Sequence, residues 1–311
     1  MFIEFKWVHH DNPFKLEDWN NPFVWRTKRS IDTLGQIMAY AAAQFGSQFR
    51  THIYSILIVK SQARIIRWDR SGAIVTEAIK YNHSNLLAEF FCRYSAASRE
   101  MCGFDESVSV PTSQEVAQAR SVLRLPYAEP LIKIEVWSAD QKQRWYYVAA
   151  APLATAYTPP GRATRGFEAN GITECQGVYL KDTWRLDLPE FTPEGDTYSW
   201  LMKGRVRNIP QCLIWGDILD MQYHATKTQS YVSTSWASTR DSVFLPHRHY
   251  HLVLDIIRRK LTSFCLSVEA IRGVRDALIG NISSLHYWDK ANPLTLSAWR
   301  CSYCRSPPSQ Y

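Results

Sequence analysis

The chain has 311 residues, of which 46% are hydrophobic and twelve are tryptophan, and its formal net charge is +7. This length suits two domains or one large one, and the composition indicates a packed core rather than a disordered chain. The positive charge fits a nucleotide or an acidic partner. Because Lys and Arg are dispersed, an ordinary solvated surface is favoured over a nucleic-acid-binding face.

The first 125 residues are predicted to form a mixed α/β domain. Residues 2–8 alternate as a short strand, and apolar side chains recur at helical spacing over residues 31–49. Ser30 or Asp32 is the predicted N-cap of that helix. The following segments are predicted as strands at 53–60, 62–68 and 73–79, and as helices at 86–94 and 113–123.

Four polar residues in this half form a pattern of their own. Glu4 and Lys6 lie on the first strand, and Gln36 and Tyr40 share one face of the following helix. The set loosely resembles nucleases of the restriction-endonuclease class, in which a Glu-x-Lys strand helps to hold Mg²⁺. That class also needs an acidic residue on an earlier strand, and no obvious source of it exists here. A charged edge strand and a polar helix face explain these residues more simply.

A hairpin is predicted where Asp69-Arg70-Ser71-Gly72 separates two strands. Asp69 and Arg70 are of types found in catalytic sites. We interpret them instead as surface charges that pair at the hairpin tip.

The second half contains a candidate phosphate-binding motif. After paired strands at 131–137 and 144–149 comes Gly161-Arg162-Ala163-Thr164-Arg165-Gly166, and then a strand that carries Lys181. Glycine lets the backbone approach a phosphate closely, and a lysine on the next strand reaches the same phosphates as a point charge. Glu194 opens the following helix and is predicted to form an ion pair with Lys181. The candidate phosphate-binding residues are Gly161, Arg162, Thr164, Gly166 and Lys181.

Four segments together resemble the fungal-type protein kinase family. They are residues 64–73 (Arg-Ile-Ile-Arg-Trp-Asp-Arg-Ser-Gly-Ala), 161–166, 180–185 (Leu-Lys-Asp-Thr-Trp-Arg) and 261–264 (Leu-Thr-Ser-Phe). The resemblance extends from near residue 1 to about residue 282. It implies ATP and Mg²⁺ as cofactors, phosphoryl transfer to Ser or Thr of a protein substrate, and Lys181 and Glu194 as the catalytic pair.

By this resemblance the fold class is α+β. Residues 1–125 form the family's N-terminal α/β domain, with the restriction-endonuclease-like fold as an option. Residues 126–282 form a kinase-like small lobe, with strands at 209–216 and 249–256, an adenine-binding hinge at 255–260 and the first helix of the large lobe at 267–279. Residues 283–311 form a divergent tail.

The chain departs from the family after this helix. The family continues with a His-Arg-Asp loop that supplies the base and a Mg²⁺-binding Asn, followed later by a metal-binding Asp. In one alignment the helix is cut short and the loop is missing. In the other, Asp276 and Asn281 form a shifted loop and Tyr287 replaces the first metal-binding residue. The first is favoured because Asp276 belongs to an amphipathic pattern.

Under either alignment a Mg²⁺ ligand is absent, so no residue is assigned to a metal. We therefore expect a kinase-family protein that is inactive or weakly active, with only a stub of the large lobe. The alternatives are a non-catalytic binding or scaffold protein and a nuclease-like N-terminal domain.

The remaining polar segments carry weaker signals. Residues 217–245 are predicted as a surface loop. His247, His249 and His251 alternate on one strand, and a solvated strand start is favoured over a metal site because no acidic or cysteine partner is near in sequence. Cys301 and Cys304 form an isolated CxxC without a second ligand pair.

We expect an intracellular protein, cytoplasmic or nuclear. The seven cysteines are odd in number and scattered, which argues against a disulfide framework. The first residues are charged, and no apolar run is long enough to cross a bilayer. No signal peptide or membrane contact is therefore predicted.

Overall fold

The structure, a computed structural model, describes residues 1–15, 23–153, 158–219, 222–234, 237, 244–256 and 264–291. Among these residues it has a mixed α/β architecture of two sheets and five helices, which agrees with the predicted α+β class. None of the described helices combines the length and the apolar character that crossing a membrane requires. The predicted hinge beyond Ile256 and the Cys301–Cys304 pair lie outside the described residues.

The first sheet has four strands in the order β1-β2-β3-β4. The pair β1–β2 is parallel and the other two pairs are antiparallel. A parallel pair needs a crossover connection, and helix α1 supplies it. The bounds are β1 (Phe2–Lys6), α1 (Lys28–Ser47), β2 (Ile53–Val59), β3 (Gln62–Trp68) and β4 (Ala73–Val75).

Helix α1 begins earlier than its apolar spacing predicted. Its N-cap is Thr27, whose Oγ1 accepts a hydrogen bond from the Ser30 backbone N–H at 3.3 Å, so the predicted caps Ser30 and Asp32 are wrong. This helix starts where the Thr27 hydroxyl oxygen accepts from a backbone N–H of the first turn, and apolar spacing does not locate that position. Ile37 and Phe45 of α1 are buried against the sheet. The other face of the sheet packs on helix α2 (Leu86–Ala96).

The second sheet has seven strands in the order β10-β11-β9-β8-β7-β6-β5, and every neighbouring pair is antiparallel. Helix α3 (Ser113–Leu123), at the bounds predicted, packs on β7 and β8, and helix α4 (Glu194–Lys203) packs on β10. The strands are β5 (Val108–Ser109), β6 (Ile132–Ser138), β7 (Gln143–Ala149), β8 (Arg165–Gly171), β9 (Gly177–Leu186), β10 (Cys212–Asp217) and β11 (His247–Leu254).

The second sheet recruits chain from before residue 125. Val108 of β5 pairs with Ile134 of β6, and Glu115 of α3 forms a 2.7 Å ion pair with Lys133. The N-terminal segment thus contributes a strand and a helix to the second sheet. The partition into domains near residue 125 remains a prediction.

The hairpin after β3 is present, but its charges are not on the surface. Asp69 and Arg70 are 1% and 3% exposed. Arg70 donates to the Pro159 carbonyl at 2.9 Å, and its guanidinium lies 3.9 Å from the centre of the Phe45 ring. Burial, with Arg165 nearby, lowers the pKa of Arg70 to about 9. The interpretation as paired surface charges is wrong, because this tip lies in the contact between the two sheets.

The segment predicted as a surface loop contributes to the same contact. Thr226 and Thr228 are buried, and the backbone N–H groups of Lys227 and Thr228 donate to Asp69 Oδ2 at 2.8 and 3.0 Å. Polar composition predicted solvent exposure here. The prediction is wrong for these residues because their backbone satisfies a buried carboxylate.

Helix α5 (Ser267–Ala291) continues past the end predicted at residue 279. Asp276 and Asn281 both lie within it, so the alignment that made them a loop is not supported. The predicted apolar side of this helix is exposed: Val268, Ile271 and Leu278 are 45%, 67% and 55% accessible.

Acid is expected to destabilise the protein through His52, which is 3% exposed. Its Nε2–H donates to the Met101 carbonyl at 3.1 Å, and the Thr51 hydroxyl donates to Nδ1 at 3.0 Å. Burial lowers the pKa of His52 to about 4. The unfolded chain therefore takes up this proton first, near pH 6.5, and stability falls as the pH drops from there toward 4. The slope is up to about 1.4 kcal/mol per pH unit.

Urea unfolding at pH 7, 6 and 5 measures this slope. His52→Gln should reduce it, whereas the exposed His83→Gln should leave it unchanged. Equal slopes in wild type and His52→Gln would show that His52 does not carry the effect.

Candidate functional site

A cleft of about 490 Å³ opens where β9 and β11 face the start of α4. Arg162, Lys181, Glu194, Thr197 and Tyr250 are among its lining residues. It brings together the lysine and the glutamate that the sequence singled out.

Lys181 reaches this cleft because side chains alternate along β9. Its neighbours Leu180 and Asp182 are buried on the opposite face of the sheet. Lys181 Nζ lies 2.6 Å from Glu194 Oε2, with 20% and 31% of the two side chains exposed. The predicted ion pair is therefore present, while its role in binding or catalysis remains a prediction.

The position of Glu194 is fixed by the way α4 starts. The helix follows Pro193, and a carboxylate in the first turn interacts favourably with the helix dipole. The next residue, Gly195, donates its backbone N–H to the Tyr250 hydroxyl at 2.9 Å. Trp215 Nε1–H donates to Asp196 Oδ1 at 3.1 Å. Strands β10 and β11 thus hold the first turn of α4 in place.

The glycine-containing segment differs from the predicted turn. Gly161 has a φ of +106°, which favours glycine, but its N–H already donates to the Arg70 carbonyl at 2.8 Å. Gly166 lies inside β8, where a Cβ would come within 3.0 Å of the Tyr179 hydroxyl oxygen. The two glycines therefore have structural explanations, and neither requires a phosphate.

The segment between Gly161 and Gly166 lies along β9. The Arg162 carbonyl accepts from Trp184 N–H at 2.7 Å, and the hydroxyls of Thr164 and Thr183 are 2.8 Å apart. The Arg162 side chain is 56% exposed, and its guanidinium is 3.7 Å from Glu194. Two cationic side chains, Arg162 and Lys181, thus share one carboxylate beside the cleft.

At the edge of the cleft, Arg185 is neutralised by its neighbours. Its guanidinium donates to both oxygens of Asp217 at 2.6 Å, and it lies 3.5 Å from Asp187. The hydrogen bond with Asp217 raises the pKa of Arg185 despite burial. Because both carboxylate oxygens of Asp217 already accept from this guanidinium, Arg185 is less suited than Lys181 to bind an added anion.

The four polar residues of β1 and α1, namely Glu4, Lys6, Gln36 and Tyr40, also meet. Lys6 Nζ is 2.9 Å from Glu4 Oε1 and donates to Gln36 Oε1 at 2.7 Å, and Gln36 Nε2 donates to the Tyr40 hydroxyl at 2.6 Å. Among the described residues, the groups of three or more potential metal ligands do not include Glu4. A restriction-endonuclease-like fold is not shown.

The alternating histidines are buried, contrary to the predicted solvated strand start. His247, His249 and His251 are 7%, 3% and 1% exposed. Acidic partners are present: His249 Nε2 is 2.5 Å from Asp182 Oδ1 and its Nδ1 is 3.8 Å from Asp105 Oδ2. Burial opposes ionisation of both groups, yet His249 holds the pKa of Asp182 low and Asp182 raises that of His249.

Sequence reasoning missed Asp105, Asp182 and His224 as members of this cluster. Asp182 gave a usable signal, because strand alternation places it opposite Lys181 and therefore on the buried face. Asp105 and His224 gave none, since neither lies on a strand or helix whose periodicity would orient it toward β11.

A family model described as fungal protein kinase matches residues 17–280. No curated protein and no solved structure matches the chain significantly. The match begins after β1 and includes the other strands of both sheets and the first part of α5.

Proposed function

The chain belongs to the fungal protein kinase family, and from that premise we propose that the cleft beside Lys181 binds the phosphates of ATP. The observation that carries this proposal is the 2.6 Å pair between Lys181 on β9 and Glu194 on α4. In protein kinases such a pair holds the lysine against the α- and β-phosphates. The neighbouring Arg162 adds a second positive charge at the same place.

In this proposal the lysine, not a glycine cradle, is the main phosphate contact. The backbone N–H of Gly161 is occupied by Arg70, and Gly166 packs against Tyr179. Arg162 and Thr164 come near the nucleotide because the segment that contains them follows β9. ATP brings two or more negative charges to a place where Arg162 and Lys181 outnumber Glu194.

Within the described part of the chain, Asp276 and Asn281 do not fit the family's pair of base and Mg²⁺ ligand. Asp276 and Asn281 are five positions apart in α5, so their side chains point about 140° apart around the helix axis. Asp276 is instead held by Arg275 at 2.7 Å. No catalytic step is therefore assigned through Mg²⁺.

We propose that this chain binds nucleotide but transfers phosphoryl groups weakly or not at all. Kinase catalysis consists almost entirely of positioning and electrostatic stabilisation by the base and the metal ions. The family's activity is ATP-dependent transfer to Ser or Thr. A chain in which those groups are not in place is expected to lack most of the rate while keeping the phosphate contact of Lys181.

The alternative is a non-catalytic protein-binding function. The observation in its favour is the exposed apolar side of α5, where Val274 and Ile282 are 49% and 55% accessible. Apolar surface of this kind marks association sites. A protein with this function alone would not respond to nucleotide.

A thermal shift assay with and without Mg²⁺-ATP tests the proposal. Wild type should be stabilised by about 2.7 kcal/mol when ATP is present at about 100 times its Kd, because ATP binds only the folded state. Lys181→Ala should abolish this rise.

The matched control is Lys133→Ala. Lys133 lies on another strand of the same sheet and pairs with Glu115 of α3 at 2.7 Å, with 23% of its side chain exposed. This variant should keep the full response to ATP. An equal loss in both variants, or no rise in wild type, would refute nucleotide binding at Lys181 and favour the protein-binding alternative.

A further inference from the structure

Three buried side chains from separate segments meet beneath the second sheet. They are Asp105 from the segment before β5, His224 from the segment before β11, and His249 on β11. Their exposures are 6%, 5% and 3%. One donor atom from each lies within 4.8 Å of the others. The two histidine Nδ1 atoms are 2.9 Å apart, and Asp105 Oδ2 is 3.8 Å from His249 Nδ1.

The groups behind these donors hold them in place. Asp182 Oδ1 lies 2.5 Å from His249 Nε2, so the carboxylate accepts from that nitrogen and leaves Nδ1 facing His224 and Asp105. Ser107 donates to Asp105 Oδ1 through both its N–H and its hydroxyl, at 3.0 and 2.6 Å. A histidine that donates its second ring N–H to a carboxylate is the usual arrangement of a histidine metal ligand.

We propose that Asp105, His224 and His249 bind one divalent transition-metal ion, with Zn²⁺ as the best fit, and that Asp182 positions His249 for it. Two imidazoles and a carboxylate form a ligand set that Zn²⁺ uses. Tetrahedral Zn²⁺ with bonds of about 2.0–2.1 Å places its donors about 3.3 Å apart. From the distances above, the two Nδ1 atoms would have to separate by about 0.4 Å, and Asp105 Oδ2 would have to approach His249 Nδ1 by about 0.5 Å.

A second observation points to the same place. His251 is 1% exposed, and its Nδ1 is buried without a hydrogen-bond partner among the described residues. Its ring centre is 5.1 Å from that of His249, and its Nε2 is 4.0 Å from Asp182. A buried, unsatisfied imidazole nitrogen is costly. Asp182, His249 and His251 form a second group whose donor atoms lie within 4.8 Å of one another, so His251 lies directly beside the proposed ligands.

A proton is the competing explanation for this geometry. At 2.9 Å, one of the two facing Nδ1 atoms can donate a hydrogen to the other, and a protonated His249 would be held by Asp182. Two buried arginines also act on this cluster: Arg165 on Asp182 and His249, and Arg70 on Asp182. The metal and the proton hypotheses differ in one measurable quantity, the metal content of the folded chain.

The first experiment measures metal by inductively coupled plasma mass spectrometry on the full chain purified without chelator. We expect about one Zn²⁺ per chain in wild type and a loss of at least tenfold in occupancy in His224→Gln and Asp105→Asn. Asp182→Asn should retain the site but weaken Zn²⁺ affinity by about 10- to 100-fold. The control is His247→Gln, because His247 is a buried histidine of the same strand that lies outside both ligand groups.

A second measurement uses wild type alone, so that the proposal is still tested if the variants fail to fold. Wild type is treated with dipicolinate and then with Zn²⁺ or Co²⁺ while its Tm is followed. Metal removal should lower Tm, Zn²⁺ should restore it, and Co²⁺ should give the visible absorption of a tetrahedral site. Wild type that contains no metal and takes up none would overturn the proposal in favour of the proton. Unchanged metal content in His224→Gln would also overturn it, because the metal would then be bound without His224.

Discussion

Asp69→Ala is expected to lower the free energy of unfolding by about 3–5 kcal/mol, since it removes the carboxylate from a buried network of charge and hydrogen bonds. Asp69 Oδ1 accepts from the backbone N–H groups of Ser71 and Gly72, at 2.9 and 3.2 Å. Oδ2 accepts from Lys227 and Thr228, and from Arg67 at 2.8 Å. Alanine would remove this acceptor from the backbone N–H groups of Ser71, Lys227 and Thr228 and from Arg67, whereas the Gly72 N–H would keep the backbone carbonyl of residue 69 at 3.3 Å.

The charge of Asp69 contributes as well as its oxygens. Burial alone would raise the pKa of Asp69, but Arg67 and the backbone donors bring it below its usual value. A carboxyl with a lowered folded-state pKa stabilises the protein above its unfolded pKa of about 3.9, and this stabilisation is lost as the pH falls through the folded value. The difference between wild type and Asp69→Ala should therefore shrink in acid.

Urea unfolding at pH 7 and pH 3 provides the measurement, because the contribution of Asp69 is lost only below the unfolded pKa. Asp69→Asn should have an intermediate stability, because its amide keeps one acceptor oxygen but has no charge. Asp32→Ala, which removes an exposed aspartate, should change stability by no more than about 0.5 kcal/mol. If Asp69→Ala behaves like Asp32→Ala, the hairpin tip does not join the two sheets as described.

Gly195→Ala is expected both to destabilise the fold and to abolish the response to ATP. A Cβ at this position would approach three carbons of the Trp215 indole at less than 3.0 Å. The ring cannot turn away cheaply, because its Nε1–H donates to Asp196. Helix α4 would have to shift, at a cost of about 1–3 kcal/mol, and Glu194 would move away from Lys181.

Gly35→Ala provides a control of opposite sign. Gly35 lies in α1, and a Cβ there would have no neighbour within 4 Å. Removing a helical glycine at such a site should stabilise the protein by about 0.5–1 kcal/mol and leave the ATP response intact. A thermal shift assay with and without Mg²⁺-ATP compares the two variants. Retention of both stability and response in Gly195→Ala would show that the start of α4 is not the constraint on Glu194.

These two variants separate the roles of neighbouring structures. Asp69→Ala changes the contact between the sheets and is expected to reduce stability without moving Lys181. Gly195→Ala changes the first turn of α4 and is expected to affect the cleft directly. A protein in which only Gly195→Ala loses the ATP response would support the placement of the nucleotide beside the Lys181–Glu194 pair.

Local sequence patterns predicted much of the secondary structure. The strand Gln62–Trp68, the strand that carries Lys181 and the helix Ser113–Leu123 follow from hydrophobic periodicity and glycine placement, which act over a few residues. The pairing of Lys181 with Glu194 was also predicted, because the resemblance to the family supplied a long-range constraint. Helix α5 was predicted too short, since its apolar periodicity weakens before its backbone hydrogen bonding ends.

The sequence by itself determined the α+β class, the family and the strand and helix that carry Lys181 and Glu194. Only the tertiary structure decided which polar residues are buried. Asp69, Arg70 and the three histidines of β11 are polar residues of types that are typical of surface segments. Each is nevertheless buried, with partners that are distant along the chain. Burial of a charge is stable only where such partners converge, and this convergence depends on how the two sheets pack. Local periodicity contains no information about that packing, so the Asp105–His224–His249 cluster became visible only in three dimensions.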